Sequence, residues 1–142
     1  MEEKRFKRTE KYLLAIVMTN EVRDGLKYTK THEWVKSAGN KVKVGITDHA
    51  QEALTDIVFV ELPAVGKQVK KGEELCVVES VKSVSEVYAP VSGKIVAVNT
   101  KLDESPEIIN DKPYDDGWLV ELEITDKAEL NTLLDATAYK KM

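Results

Sequence analysis

The chain has 142 residues, 42% hydrophobic and 32% charged, the balance of a single soluble globular domain with room for a real core. Its net charge of −4 offers no basic stripe to gather phosphates, which argues against a nucleic-acid binder. A single cysteine, Cys76, excludes an internal disulfide and argues against a cysteine-based metal site. In its apolar run it is expected to be a small buried hydrophobe.

Residues 1–19 read as an extension outside the fold. Residues 1–11 hold five basic side chains (Lys4, Arg5, Lys7, Arg8, Lys11) and three acidic ones (Glu2, Glu3, Glu10), too acidic for a mitochondrial transit peptide. Residues 12–18 form a seven-residue apolar run. It is far too short to span a membrane, and no Ala-x-Ala cleavage site follows it. The expectation is an extension that is disordered or not translated, with the start at Met18 and one domain over residues 20–142.

Beyond it the pattern is mostly β. Val42, Val44 and Ile46 alternate with Lys41, Lys43 and Gly45, a half-buried strand entered through Gly39-Asn40. Asp48 is the expected N-cap of a short helix near residues 48–55, with Gln51 as its capping-box partner. Ala50, Ala53, Leu54 and Ile57 are its apolar stripe. Residues 56–62 read as a strand closed by Pro63 and turned at Gly66, and residues 69–72 as another turn.

A hairpin follows. Leu75-Cys76-Val77-Val78 is a continuous apolar run, as in a strand buried on both faces. Val87 and Ala89 then alternate with Glu86 and Tyr88 until Pro90 limits the pairing. Between these strands lies a short polar turn with Lys82 at its tip. On position alone such a lysine is a solvated residue.

Ser92-Gly93 reads as a turn into a strand over residues 95–98, and residues 103–116 as a polar loop with two prolines. Trp118, Val120, Leu122 and Ile124 alternate as a last strand. Asp126 is read as the cap of a final helix over about residues 126–141. Glu129 holds its third position, and Leu130, Leu133, Leu134 and Ala138 form the apolar stripe. Lys140 and Lys141 suit its C-terminal dipole. Short strands at roughly ten-residue spacing indicate an antiparallel sandwich or barrel.

No catalytic motif emerges. His32 and His49 are the only histidines, and they have no zinc-binding spacing. There is no GxSxG elbow, phosphate-binding glycine loop or dinucleotide fingerprint. A nucleophilic pair of Cys76 and His32 is set aside because a buried thiol has nothing to lower its pKa. The expectation is a chain that is not itself an enzyme.

The wording around the tip goes further. Glu79-Ser80-Val81-Lys82, followed by Val87-Tyr88-Ala89-Pro90-Val91-Ser92-Gly93, resembles the attachment hairpin of lipoyl-carrying domains. It looks most like that of the glycine cleavage H-protein family. Leu26-Lys27-Tyr28-Thr29-Lys30-Thr31-His32-Glu33-Trp34-Val35 resembles that family's opening strand, and Val44-Gly45-Ile46-Thr47-Asp48-His49-Ala50-Gln51 its first helix start. Asp56-Ile57-Val58-Phe59-Val60-Glu61-Leu62-Pro63, Pro106-Glu107-Ile108-Ile109-Asn110 and Pro113-Tyr114-Asp115-Asp116-Gly117-Trp118 follow in the family's order. The likeness runs from Gly25 to Tyr139. One departure is Thr55, where the family usually ends the helix with glycine; threonine tolerates a left-handed exit poorly.

The resemblance implies a mainly β fold. It would be a flattened antiparallel β-sandwich of the lipoyl/biotinyl hybrid type, with the short helix and a C-terminal helix. It implies a cytoplasmic carrier whose Lys82 ε-amine is joined by an amide bond to lipoic acid, (R)-lipoate. Its partners would be glycine decarboxylase (P protein), aminomethyltransferase (T protein) and dihydrolipoyl dehydrogenase (L protein), with a lipoate ligase or lipoyl/octanoyl transferase to attach the arm. The resemblance implies no nucleic-acid or membrane partner. The arm would carry an aminomethyl group from the decarboxylase to the transferase and electrons to the dehydrogenase. Thr31, Glu33 and Glu86 are the residues implied for the arm cleft, where a carboxylate favours an ammonium and exclusion of water slows its loss.

Biotin carriers flank their lysine with methionines, where Val81 and Ser83 stand here. Acyltransferase domains of oxo-acid dehydrogenases have Asp-Lys-Ala at the tip. The alternative function is a lipoyl or octanoyl relay in lipoate assembly or in another lipoyl-linked pathway.

Overall fold

The computed structural model describes residues 20–142, so the reading of residues 1–19 and of a start at Met18 lies outside the described residues. The expected alternation is plain in β3 (Lys41–Ile46), which buries Val42 and Val44 and exposes Lys41 and Lys43. It is equally plain in β9 (Val120–Ile124), which buries Val120, Leu122 and Ile124. The opening stretch is not one strand. It divides into β1 (Lys27–Tyr28) and β2 (Glu33–Ala38) around a tight turn that puts His32 at φ 72°.

With β5 (Gln68–Val69) and β8 (Gly93–Val98) these make a six-stranded antiparallel sheet, in the order β1-β2-β3-β9-β8-β5. The second sheet orders β4 (Ile57–Glu61), β6 (Glu74–Ser80) and β7 (Val84–Tyr88), again antiparallel. Val42, Val44, Ile95 and Leu122 from the first sheet share one core with Val60, Val78 and Val87 from the second. This is the flattened β-sandwich that was expected. Each fully buried valine contributes roughly 1.5–3 kcal/mol by transfer out of water.

Several local readings are corrected. Gly93 is not a turn residue: it begins β8 and pairs with both Val69 and Ile124. A Cβ there would stand 2.4 Å from the Glu123 carbonyl oxygen, so close strand approach requires the glycine. The helix cap is Thr47, whose hydroxyl accepts from the Ala50 N–H at 3.2 Å, one residue before the expected Asp48. Asp48 is instead the first residue of α1 (Asp48–Leu54), and its carboxylate accepts from the Gln51 side chain at 2.8 Å. Ala50 and Leu54 pack on the core, Ala53 is exposed, and Ile57 is buried from β4 rather than from the helix.

Thr55 ends α1 at φ 63°, ψ −144°, a conformation costly for any residue with a Cβ. Thr55→Gly is expected to raise stability by about 1 kcal/mol, the relieved strain exceeding glycine's added freedom in the unfolded chain. Urea unfolding measures this, and a midpoint that fails to rise refutes the strain.

The loop expected over residues 103–116 is entered by one helical turn, α2 (Lys101–Glu104), which buries Leu102, and contains another, α3 (Ile108–Asp111), which buries Ile109. The final helix expected over 126–141 is also broken. Asp126 does cap, accepting from the Ala128 N–H, but only a 3₁₀ turn, Lys127–Thr132. Leu134 then exchanges two backbone bonds with Tyr28, at 2.7 and 2.8 Å. Asp135 caps a second short helix, α4 (Ala136–Lys140). That pairing, with Tyr139 stacked on Tyr28 at 4.5 Å, outweighs the continuation of the helix. No helix among the described residues is long and apolar enough to cross a membrane.

Candidate functional site: the hairpin tip and the hollow beside it

The apolar run of β6 pairs with β7 in the register Val77↔Glu86, Val78↔Ser85 and Glu79↔Val84, leaving residues 81–83 as the connection. A backbone bond from Ser80 N–H to Ser83 O, 2.8 Å, closes it. Lys82 stands exposed at its tip, and its Nζ engages no other described residue. Val81 and Val84 beside it are each 66% exposed.

Next to the tip is a hollow of 460 Å³, walled by Lys82 and Glu86 from the hairpin, Thr31 and Glu33 from the opening segment, and Leu54 from α1. The four residues singled out from the sequence, Lys82, Thr31, Glu33 and Glu86, therefore line one space. Their environments differ. Glu86 is exposed, and its carboxylate accepts from the Tyr88 hydroxyl at 2.9 Å.

Glu33 is only 2% exposed. Its Oε1 accepts from the hydroxyls of Thr29 and Thr31, both at 2.5 Å, and its Oε2 from the Tyr88 N–H at 3.1 Å. Tyr88 lies on β7, the outer strand of its sheet, so the carboxylate satisfies an edge N–H and ties the two sheets together. Burial pushes the Glu33 carboxyl above its ordinary range, and these hydrogen bonds pull it part of the way back. Glu33 and Thr31 also line a second hollow, of 420 Å³, with Lys71, Tyr88 and Leu133.

Sequence reasoning missed the surroundings of this wall. Thr29 and Tyr88 complete the shell of Glu33. The rings of His32 and His49, seventeen positions apart in the chain, lie 4.4 Å apart and both border the hollow. The β2–β3 pairing Glu33↔Ile46 brings them together, and spacing alone carries no such signal. Burial, and then the neighbouring His49, lowers the pKa of His32; its Nδ1 is 2.6 Å from the Tyr139 hydroxyl. Cys76 is buried, and burial pushes its thiol up, so it is no nucleophile. Among the described residues no group of three or more His, Cys, Asp or Glu side chains is placed to hold a metal ion.

The family model described as "Glycine cleavage H-protein" matches residues 26–142. The chain is similar to the glycine cleavage system H protein of Coprothermobacter proteolyticus, 60% identical over 121 residues, 84% of this chain and 95% of that protein. It is similar to the protein of the same name from Thermotoga maritima, 57% identical over 115 residues, 81% of this chain and 93% of that protein. Among solved structures it resembles a glycine cleavage system H protein from Mycobacterium marinum, with a TM-score of 0.77 and 41% identity, covering 84% of this chain and 97% of that one. A match over nearly the whole described fold, from the opening strand through the β6–β7 hairpin to the last helix, places the chain in the glycine cleavage H-protein family.

Proposed function

We propose that this chain is the lipoyl-bearing carrier of the glycine cleavage system, with Lys82 holding lipoic acid through an amide bond. The observation that carries the reading is the placement of Lys82, an exposed primary amine at a hairpin tip beside a hollow walled by a buried carboxylate. The residues fit the group. Nζ engages no other described residue and stands at an exposed tip within reach of a lipoate ligase or a lipoyl/octanoyl transferase, and the hollow next to it has both an apolar wall and a charged one.

Membership of the family supports a carrier subunit rather than a catalyst. Once attached, the lipoyl group supplies a disulfide to receive the aminomethyl cargo and a dithiol to return electrons. The chain's own part is presentation and protection. An exposed tip can enter the active sites of glycine decarboxylase, aminomethyltransferase and dihydrolipoyl dehydrogenase in turn, and tethering raises the effective concentration at each. In the hollow, Glu33 favours the protonated form of a nearby amine, Thr31 orients that carboxylate, and Glu86 adds a second carboxylate at the rim.

The deciding experiment is the intact mass of the protein from its own cells, with peptides mapped around Lys82. One lipoyl increment on Lys82 is the expected result. A biotin increment moves the protein to carboxylase chemistry. A Lys82 still bare after incubation with a lipoate ligase overturns the reading.

A further inference from the structure

The tip that presents Lys82 is held from two sides, and we propose that Ser80 and Asn110 are positioning residues that pre-shape it for the enzyme that acylates Lys82. This rests on the reading of Lys82 as the attachment lysine.

Inside the turn, a single hydroxyl uses its full hydrogen-bonding capacity. Ser80 Oγ accepts from the Lys82 N–H at 3.2 Å and from the Ser83 N–H at 3.1 Å, and it donates to the Ser83 carbonyl at 3.3 Å. The backbone of Lys82 is thus anchored two residues back, while its side chain engages no other described residue.

Outside the turn, the Val81 N–H donates to the Asp56 carbonyl at 3.0 Å. Asp56 sits between two residues that one side chain holds. Asn110 Nδ2 donates to the Thr55 carbonyl at 2.8 Å and to Gln51 Oε1 at 2.9 Å, and its Oδ1 accepts from the Ile57 N–H at 2.9 Å. Asn110 clamps the chain on both sides of Asp56 and so aims the carbonyl that holds Val81. A continuous path runs from α3 through Asp56 to the residue before Lys82. The strained exit at Thr55 lies within this clamp.

An acylating enzyme must close around one amine. A tip that wandered over residues 80–83 would have to be ordered at each encounter, at a cost in backbone entropy. Because the amine itself is unaltered, the loss falls on KM for the protein substrate rather than on kcat.

The test uses the full chain, a lipoate ligase, lipoate and ATP, with initial rates followed by intact mass and tip amides followed by hydrogen exchange. Ser80→Ala is expected to raise KM about tenfold and to speed exchange at the Lys82 and Ser83 amides. Ser80→Thr, which keeps the hydroxyl, is expected to restore both. Asn110→Asp keeps the acceptor for Ile57 but loses the donors to Thr55 and Gln51, and it is expected to speed exchange at Val81. If Ser80→Ala is acylated with the wild-type KM, or its tip amides exchange at the wild-type rate, the proposal is overturned. A wild-type chain that takes no arm overturns the attachment reading and this inference with it.

Discussion

Lys82→Arg is expected to take no lipoyl group at all while folding as the wild type does. The guanidinium stays protonated and offers no lone pair for amide formation, so the substitution keeps the charge and removes the chemistry. Lys82 is exposed and its Nζ touches no other described residue. The change in stability should therefore lie within about 0.5 kcal/mol. Intact mass before and after treatment with a lipoate ligase, beside a thermal melt, measures both. An arm still added to the variant would move the attachment to another lysine.

The second large effect is expected at Glu33. In Glu33→Gln the buried wall of the hollow keeps its shape and one acceptor oxygen for the Thr29 and Thr31 hydroxyls, but the amide nitrogen cannot accept the Tyr88 N–H and the charge is lost. A protonated amine in that hollow then lacks the carboxylate that favours it, and the loaded protein should release ammonia about tenfold faster without the transferase. An unchanged release rate removes Glu33 from the protective role.

The same substitution has a pH signature. Burial raises the Glu33 pKa in the folded protein above its ordinary 4.5, so the folded state binds this proton more tightly than the unfolded state does. The contribution is fully present below the unfolded value and is lost as pH rises through the folded one. The amide that replaces the carboxyl in Glu33→Gln does not titrate. The melting temperature of this variant relative to wild type should therefore climb as pH is raised from about 4 toward neutrality. A difference that is flat across that range contradicts the burial argument.

The hairpin was legible because its signals are local. Four apolar residues in a row, an alternating return strand and polar residues between them place Lys82 at a tip whatever the rest of the chain does. The strands β3 and β9 were legible for the same reason, each having one buried face and a period of two. Where two neighbouring residues could serve equally, the sequence could not choose. Thr47 and Asp48 are both competent caps, and contacts from distant residues decide between them. Thr47 Oγ1 meets the Tyr139 hydroxyl at 2.9 Å, and the Asp48 N–H donates to the Tyr114 hydroxyl at 3.1 Å. The last helix failed similarly. Its apolar spacing is real, but Leu134 gains two strand-like bonds to Tyr28, and Asp135 is ready to cap a new start. The turns at Leu102 and Ile109 are too short to show a period.

By itself, then, the sequence determined a mainly β domain, an exposed lysine at a hairpin tip and the family resemblance, since all three lie in residue types and spacings along the chain. Packing between distant segments sets the rest: Glu33 is buried and bonded across to β7, the rings of His32 and His49 lie 4.4 Å apart, and Asn110 braces the tip through Asp56. Each of those depends on pairing or packing between segments far apart in sequence. Burial and hydrogen-bond partners belong to the packed arrangement and not to any local run of residues.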